Sequence, residues 1–337
     1  MPPRPPSAPP PPSTALEAAQ RAYLDDIIAT VDTLRRDGAT VGDLKIVAGA
    51  LKEMRRAFKV FATYRHIPKV STFGSARTQP GDPVFQLAEA FARRVADRGF
   101  MVITGAGPGI MEACQRGAGR TRSFGVNIRL PHEQAANVVI TGDPKLLTFR
   151  YFFARKLFFL KEAAAVVLFP GGFGTLDEGF ETLTLLQTGK TQPMPLILLD
   201  QPRGTYWRAW QRYVEDHILR GGMITNDELA LYRVTDDVDT AVDEITTFYR
   251  VYHSSRYVRD QLLIRLARPI PEAFVAQLAH EFHDIIRDGT ILQRPTLPAE
   301  RDEPAVAHLP RLVLRFDRVH FGRLRLLINR LNTAPEH

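Results

Sequence analysis

The sequence predicts an α/β protein: a doubly wound parallel sheet preceded by helices and followed by a small α+β appendage. Three observations carry this. From Val70 onward short apolar runs alternate with helical patterns, the rhythm of strands that pair in parallel and are covered by helices on both faces. Three of these runs end on glycine, at Gly74, Gly105 and Gly171, and ligands in such sheets sit at the carboxyl ends of the strands. From about Ser254 the rhythm changes, with alternating strand-like runs among helical ones.

Residues 1–13 are a proline-rich tail with the composition of disorder. Residues 14–66 hold two helical runs, about 15–36 and 41–64, divided by Asp37-Gly38, a turn dipeptide. Leu24, Ile27, Ile28, Val31 and Leu34 recur at helical spacing, a face suited to packing on the main domain or on a partner subunit. Residues 67–252 read as a Rossmann-like domain. Its strands are expected at 70–73, 101–104, 124–128, 138–140, 165–169 and 196–199. Its helices are expected at 84–98, 110–119, 144–162, 176–188, 206–219 and 238–252. Residues 253–337 read as the appendage, with strands at 262–266 and 312–316 and helices at 271–286 and 321–331.

Composition narrows the function classes. A chain of 337 residues with 45% hydrophobic side chains can bury a substantial core. Its one cysteine, Cys114, allows no disulfide and no cysteine-based zinc site within one chain, and its Ala/Gly context is that of a small core residue. The proline-rich start has no apolar signal segment, and the apolar stretch 151–169 is broken by Arg155, Lys156, Lys161 and Glu162. A cytoplasmic protein without a membrane partner is expected. The net charge of +7 suits attraction of small anionic nucleotides. The C-terminal arginines lack the aromatic interleaving of a single-strand platform, so nucleic acid is not an expected partner.

The most informative string is Pro170-Gly171-Gly172-Phe173-Gly174-Thr175-Leu176-Asp177-Glu178. It joins a buried-strand pattern to a helical one. Glycines at such a turn let the backbone approach a ligand, and the helix start offers free N–H groups and a positive dipole end. That suits a phosphate. Asp177, Glu178 and Glu181 follow at once, which places carboxylates beside the phosphate and points to chemistry next to it. The plain alternative is an ordinary βα turn whose acidic residues merely favour a helix N-terminus.

Other strings fail. Gly105-Ala106-Gly107-Pro108-Gly109 brings its third glycine one position early for a dinucleotide fingerprint, and no carboxylate follows at the ribose-binding distance. A nicotinamide cofactor is not expected. Gly189-Lys190-Thr191 resembles the end of a phosphate loop, but Thr184 stands where that loop needs glycine. The histidines show no metal-ligand spacing.

With Phe73-Gly74-Ser75-Ala76-Arg77, Gly105 to Ala113 and Arg155-Lys156 added, the sequence from about Lys69 to Tyr249 resembles the LOG ("lonely guy") family of nucleotide phosphoribohydrolases, whose members are often mislabelled lysine decarboxylases. The resemblance implies hydrolysis of the N-glycosidic bond of a purine nucleoside 5′-monophosphate, AMP or a cytokinin riboside monophosphate, to free base and ribose 5-phosphate. It implies Arg155 and Glu178 as the catalytic pair, with Arg155 holding Glu178 ionised. The expected substrate site comprises Gly74, Ser75, Gly105, Gly107, Gly109, Lys156, Gly171, Gly172, Phe173, Gly174, Thr175 and Asp177, with Glu112 added by the resemblance and Glu181 and Thr184, further along the same helix, as second-rank candidates. No cofactor and no metal are called for. A homodimer with an interface active site, or a higher oligomer, is implied. The aromatic run Phe149, Tyr151, Phe152, Phe153, Phe158 and Phe159 agrees, since it needs cover from another chain or from the N-terminal helices. The flanking helices and the appendage depart from the compact family pattern. A non-catalytic nucleotide-binding module and a broad-specificity nucleotide nucleosidase remain alternatives.

Overall fold

The computed structural model describes residues 14–129, 135–300 and 302–336; the proline-rich tail lies outside them. Two helices come first, α1 (Thr14–Arg36) and α2 (Val41–Ala62). Thr40 starts α2 with a capping box: its hydroxyl accepts from the Asp43 N–H, and the Asp43 carboxylate accepts from the Thr40 N–H. α2 buries Ala50, Ala57 and Phe61, whereas Tyr23, Leu24, Ile27, Ile28 and Val31 of α1 stay exposed. Within this chain, α1 therefore does not pack its apolar face on the sheet.

The alternation follows: β1 (Lys69–Phe73), α3 (Pro83–Asp97), β2 (Met101–Thr104), α4 (Ile110–Ala118), β3 (Ser123–Ile128), β4 (Leu146–Phe149), α5 (Phe152–Lys161), β5 (Ala165–Leu168), α6 (Phe173–Gln187), β6 (Leu196–Leu199), α7 (Tyr206–Tyr213), β7 (Arg233–Thr235) and α8 (Val238–Phe248). The seven strands form one sheet in the order β4-β3-β2-β1-β5-β6-β7, every pair parallel. Every residue of β1, β2, β5 and β6 is buried, because both faces are covered. On one face Phe61, Phe124, Phe158 and Phe159 pack between α2, α5 and the sheet. On the other Phe85, Phe91, Val95, Ile110 and Ile245 pack under α3, α4 and α8. The chain steps from β1 outward to β4, then returns to lay β5 on the far side of β1. The strand order thus reverses between β1 and β5, where a crevice opens at the carboxyl ends.

Segmentation differs from expectation in several places. Residues 138–140 form a turn, and the edge strand is β4, taken from the start of the expected helix 144–162. Leu146-Leu147-Thr148-Phe149 runs straight into Tyr151-Phe152-Phe153, so no polar break marks the border between strand and helix. α6 begins at Phe173 rather than 176, which folds Phe173, Gly174 and Thr175 into its first turn. The helical run from 206 tightens into α7 and then widens to a π-turn over Val214–Leu219. α8 stops at Phe248, and the edge strand β7 is short and mixed in character.

The remaining chain forms β8 (Tyr252–Val258), β9 (Gln261–Leu266), α9 (Glu272–Glu281), β10 (Leu292–Arg294), β11 (Arg311–Leu314) and α10 (Phe321–Leu331). Its antiparallel sheet has the order β10-β11-β9-β8. It closes a core of its own, in which Leu262 and Ile264 of β9 and Leu312 of β11 meet Leu278 of α9 and Leu327 of α10. α9 is shorter than the expected 271–286, and β8 and β10 were not legible from alternation. Arg325 of α10 ties this part to the parallel sheet, donating to the Met194 carbonyl at 2.9 Å and to Glu244 at 2.6 Å. Among the described residues no helix is long and apolar enough to cross a membrane.

Candidate active site

The three glycine turns meet in one cleft of about 700 Å³ at the reversal point. β1 delivers Phe73, Gly74, Ser75, Ala76 and Arg77; β2 delivers Gly105; β5 and α6 deliver Gly171 to Leu176 and Glu178; α5 delivers Arg155. Close backbone contact dictates two of the glycines. Gly109 has φ +67°, and a Cβ there would stand 2.3 Å from the Ser75 carbonyl oxygen. At Gly171 a Cβ would meet the Thr175 hydroxyl at 2.2 Å. Ser75 is stitched to both neighbouring turns: its N–H donates to the Pro170 carbonyl at 3.1 Å, and its carbonyl accepts from the Ile110 N–H at 3.0 Å.

At the start of α6 the Thr175 and Leu176 N–H groups turn back to the Gly172 carbonyl. The N–H groups of Gly172, Phe173 and Gly174 find no acceptor among the described residues. These orphan donors at a helix N-terminus are what an anion requires. Added Cβ atoms at Gly172 and Gly174 would meet nothing within 4 Å, so this backbone is open to a ligand.

Glu178 sits one turn deeper with its side chain 4% exposed. Arg155 approaches it at 3.8 Å and Lys156 at 3.6 Å, distances of ion pairing without a hydrogen bond. The Glu178 Oε2 and Arg155 Nε atoms are buried without a hydrogen-bond partner. Burial pushes the Glu178 carboxyl up to about 7; Lys156 and Arg155 oppose that shift, while Glu181 and Asp177 add to it. The expected depression by Arg155 is therefore outweighed by desolvation. Arg155 is held between the rings of Phe152 and Phe159, 5.5 and 5.1 Å from their centroids.

Lys156 is the hub of the carboxylates. Its ammonium bonds Glu181 at 2.6 Å and Asp177 at 2.7 Å besides facing Glu178, and these partners raise its pKa against the effect of burial. The other expected residues scatter. Glu112 is bound by Arg116 one turn along α4 at 2.6 Å and does not line the cleft. Thr184 lies two turns down α6, exposed, with its hydroxyl on the Phe180 carbonyl. Gly107 shapes its turn, its carbonyl accepting from Asn137. Phe173 is 93% exposed at the cleft mouth.

Sequence reasoning missed Arg77 as a site residue, although it lies in a string already singled out. It lines the cleft and has no ion-pair partner among the described residues. It also missed Tyr206, whose hydroxyl donates to the Gly171 carbonyl at 2.6 Å; nothing in the sequence announces a contact across 35 residues.

Residues 109–245 match the family model described as possible lysine decarboxylase. No curated protein matches the chain. Among solved structures, the structural-genomics target TM1055 is 25% identical, covers 53% of this chain and 99% of its own, and has a TM-score of 0.38. The molybdenum cofactor carrier protein from Chlamydomonas reinhardtii is 19% identical over 53% of this chain and 96% of its own, with a TM-score of 0.38. The molybdenum cofactor binding protein from Rippkaea orientalis is 16% identical over 54% and 95%, with a TM-score of 0.36. Likenesses at this level say nothing of what the present chain binds.

Proposed function

We propose that the protein hydrolyses the N-glycosidic bond of a purine nucleoside 5′-monophosphate, releasing free base and ribose 5-phosphate. The observation that carries this reading is Glu178: a buried carboxylate with one oxygen lacking a hydrogen bond, one helical turn from three free backbone N–H groups. The N–H groups of Gly172, Phe173 and Gly174 hold the phosphate, with Arg77 and Ser75 beside them. Remote binding of the phosphate then fixes the sugar over Glu178. As the bond from C1′ to the base nitrogen breaks, its electron pair leaves with the base and positive charge develops on the ribosyl ring. Glu178 stabilises that charge in its ionised form and accepts the proton of the attacking water, while the departing base takes a proton from solvent and Glu178 afterwards returns its own to solvent. A carboxyl near 7 is divided between both forms at neutral pH, which suits a general base. Arg155 and Lys156 offset its charge and position it.

The decarboxylase label of the family is not favoured. An amine nucleophile must be neutral, whereas Lys156 is held by Asp177 and Glu181 with its pKa raised. The test is incubation with AMP and chromatography for adenine and ribose 5-phosphate, with adenosine as the control lacking the anchor. The expected result is base release from AMP and a far slower reaction of adenosine. Folded protein that frees no base from AMP, GMP, IMP or prenylated AMP would remove the hydrolase reading. A non-catalytic nucleotide binder would still bind the nucleotide under those conditions.

A further inference from the structure

We infer that Tyr206 is the positioning residue of the phosphate turn, holding the peptide between Gly171 and Gly172 so that its N–H faces the cleft. The inference rests on the reading of that turn as a phosphate site and adds a residue from outside the three glycine-turn strings. A peptide unit is planar and trans, so its C=O and N–H point in opposite directions. The Gly171 carbonyl accepts the Tyr206 hydroxyl at 2.6 Å, and the other end of the same plane is the unpartnered Gly172 N–H. Two glycines flank this peptide and offer little resistance to its rotation. The hydroxyl supplies what the local sequence lacks.

Tyr206 is itself fixed from below. Asp200, buried at the end of β6, accepts from the Tyr206 N–H at 2.9 Å and from the Trp207 N–H at 3.3 Å through one oxygen, and from the Gln201 N–H at 2.9 Å through the other. The loop between them closes tightly: a Cβ on Gly204 would lie 2.2 Å from the Asp200 carboxyl group. The Tyr206 ring packs edge-on against Trp207, with centroids 4.7 Å apart. A rigid chain of contacts thus runs from the sheet through Asp200 and α7 to the turn. Burial and the neighbouring Asp200 raise the phenol pKa, which keeps the hydroxyl a donor across the working pH range.

The test is Tyr206→Phe, which removes one oxygen and keeps the ring. Affinity for ribose 5-phosphate, read by calorimetry, should fall about tenfold, the scale of one well-placed hydrogen bond. KM for AMP should rise by a similar factor with kcat changed less than about threefold, while kcat/KM for adenosine stays level. A general loss of structure would lower both substrates together, so the split marks positioning. Asp200→Asn, which keeps the side-chain shape and weakens the hold on α7, should move the same quantities in the same direction by less, and it serves if Tyr206→Phe does not fold. Wild-type affinity for ribose 5-phosphate in the folded variants overturns the role of Tyr206. Wild-type protein that binds ribose 5-phosphate yet cleaves no nucleotide overturns the hydrolase reading alone, and the binding arm still decides Tyr206. Wild-type protein that binds no ribose 5-phosphate overturns both.

Discussion

Glu178 and Glu300 are both almost fully buried, and they live in opposite surroundings. Glu300, beside the antiparallel sheet, is bonded by Arg265 and Arg311, each with a contact at 2.8 Å, and its oxygens also meet the Leu297 N–H. Those partners hold its carboxyl below the ordinary range in spite of burial. Glu178, beneath the glycine turn, has cations no closer than 3.6 Å and one oxygen without a hydrogen bond. Its carboxyl is pushed up to about 7. Burial alone therefore says little about function. A buried charge that is fully partnered is structure, whereas one left short of partners is a cost that the fold sustains at a site.

The strongest way to break this comparison is to neutralise the partnered carboxylate. Glu300→Gln should strip Arg311 and part of the environment of Arg265 of their counter-charge, costing about 3–5 kcal/mol of stability. Denaturant unfolding would register it. Base release from AMP should change little while the protein remains folded. An unchanged unfolding midpoint would mean that the Glu300 cluster is no structural keystone.

Glu178 should give the mirror image. Glu178→Gln and Arg155→Ala are each expected to lower turnover by about 10²-fold or more, with the melting temperature of Glu178→Gln held or raised, since an underpartnered buried charge is removed. The double variant should be little worse than the worse single one, because the two act as a unit. Wild-type kinetics in either single variant would take that residue out of the mechanism.

The comparison sharpens with pH. The folded-state value of Glu178 lies above its ordinary 4.5, so its contribution to stability is fully present below about 4.5 and is lost as pH rises towards about 7. Glu300 is lowered from 4.5, so its contribution is present above about 4.5 and is lost as pH falls further. Thermal melts across this range should show the two slopes separately: Glu178→Gln should erase the decline between about 4.5 and 7, and Glu300→Gln the rise at lower pH. If ionised Glu178 is the working form, kcat/KM should fall about tenfold per unit below about pH 7. A profile flat from about 5 to about 8 would contradict that.

How much of this was legible in the sequence depends on range. The sheet and its glycine turns were, because strand periodicity and Gly74, Gly105 and Gly171 are local marks with a local cause. The border at β4 was not, since Leu146 to Phe153 offers one apolar run to two elements. Arg155 and Glu178 could be paired through a family resemblance, yet the sign of the shift at Glu178 could not. It depends on desolvation against two cations at ion-pair distance, a balance only packing sets. The Glu300 cluster was invisible for the same reason: Arg265 lies 35 residues away and nothing in either neighbourhood marks the pair. Tyr206 and Asp200 fall in the same class.

The smallest expected effect concerns what lies over the cleft, where a second copy would add to the surroundings of Glu178. α5 shows two unlike sides. Phe158 is covered within the chain, its ring stacked on Phe61 at 5.8 Å and edge-on to Phe58 at 5.2 Å. That part of the aromatic run needs no partner, since α2 serves it. Phe152, Phe153 and Leu157 remain exposed, as do Phe173 and Phe180 of α6, and Phe152 carries the Arg155 guanidinium on its face. Apolar side chains grouped beside a site suit a two-fold contact. Light scattering at micromolar concentration should therefore show a dimer, and Phe153→Asp should shift it towards monomer. Activity should fall with assembly, but only severalfold, because Glu178 and the donors of the glycine turn all come from one chain. A monomeric wild-type protein at full activity would refute the shared-interface model and leave the contrast between the two glutamates as it stands within a single chain.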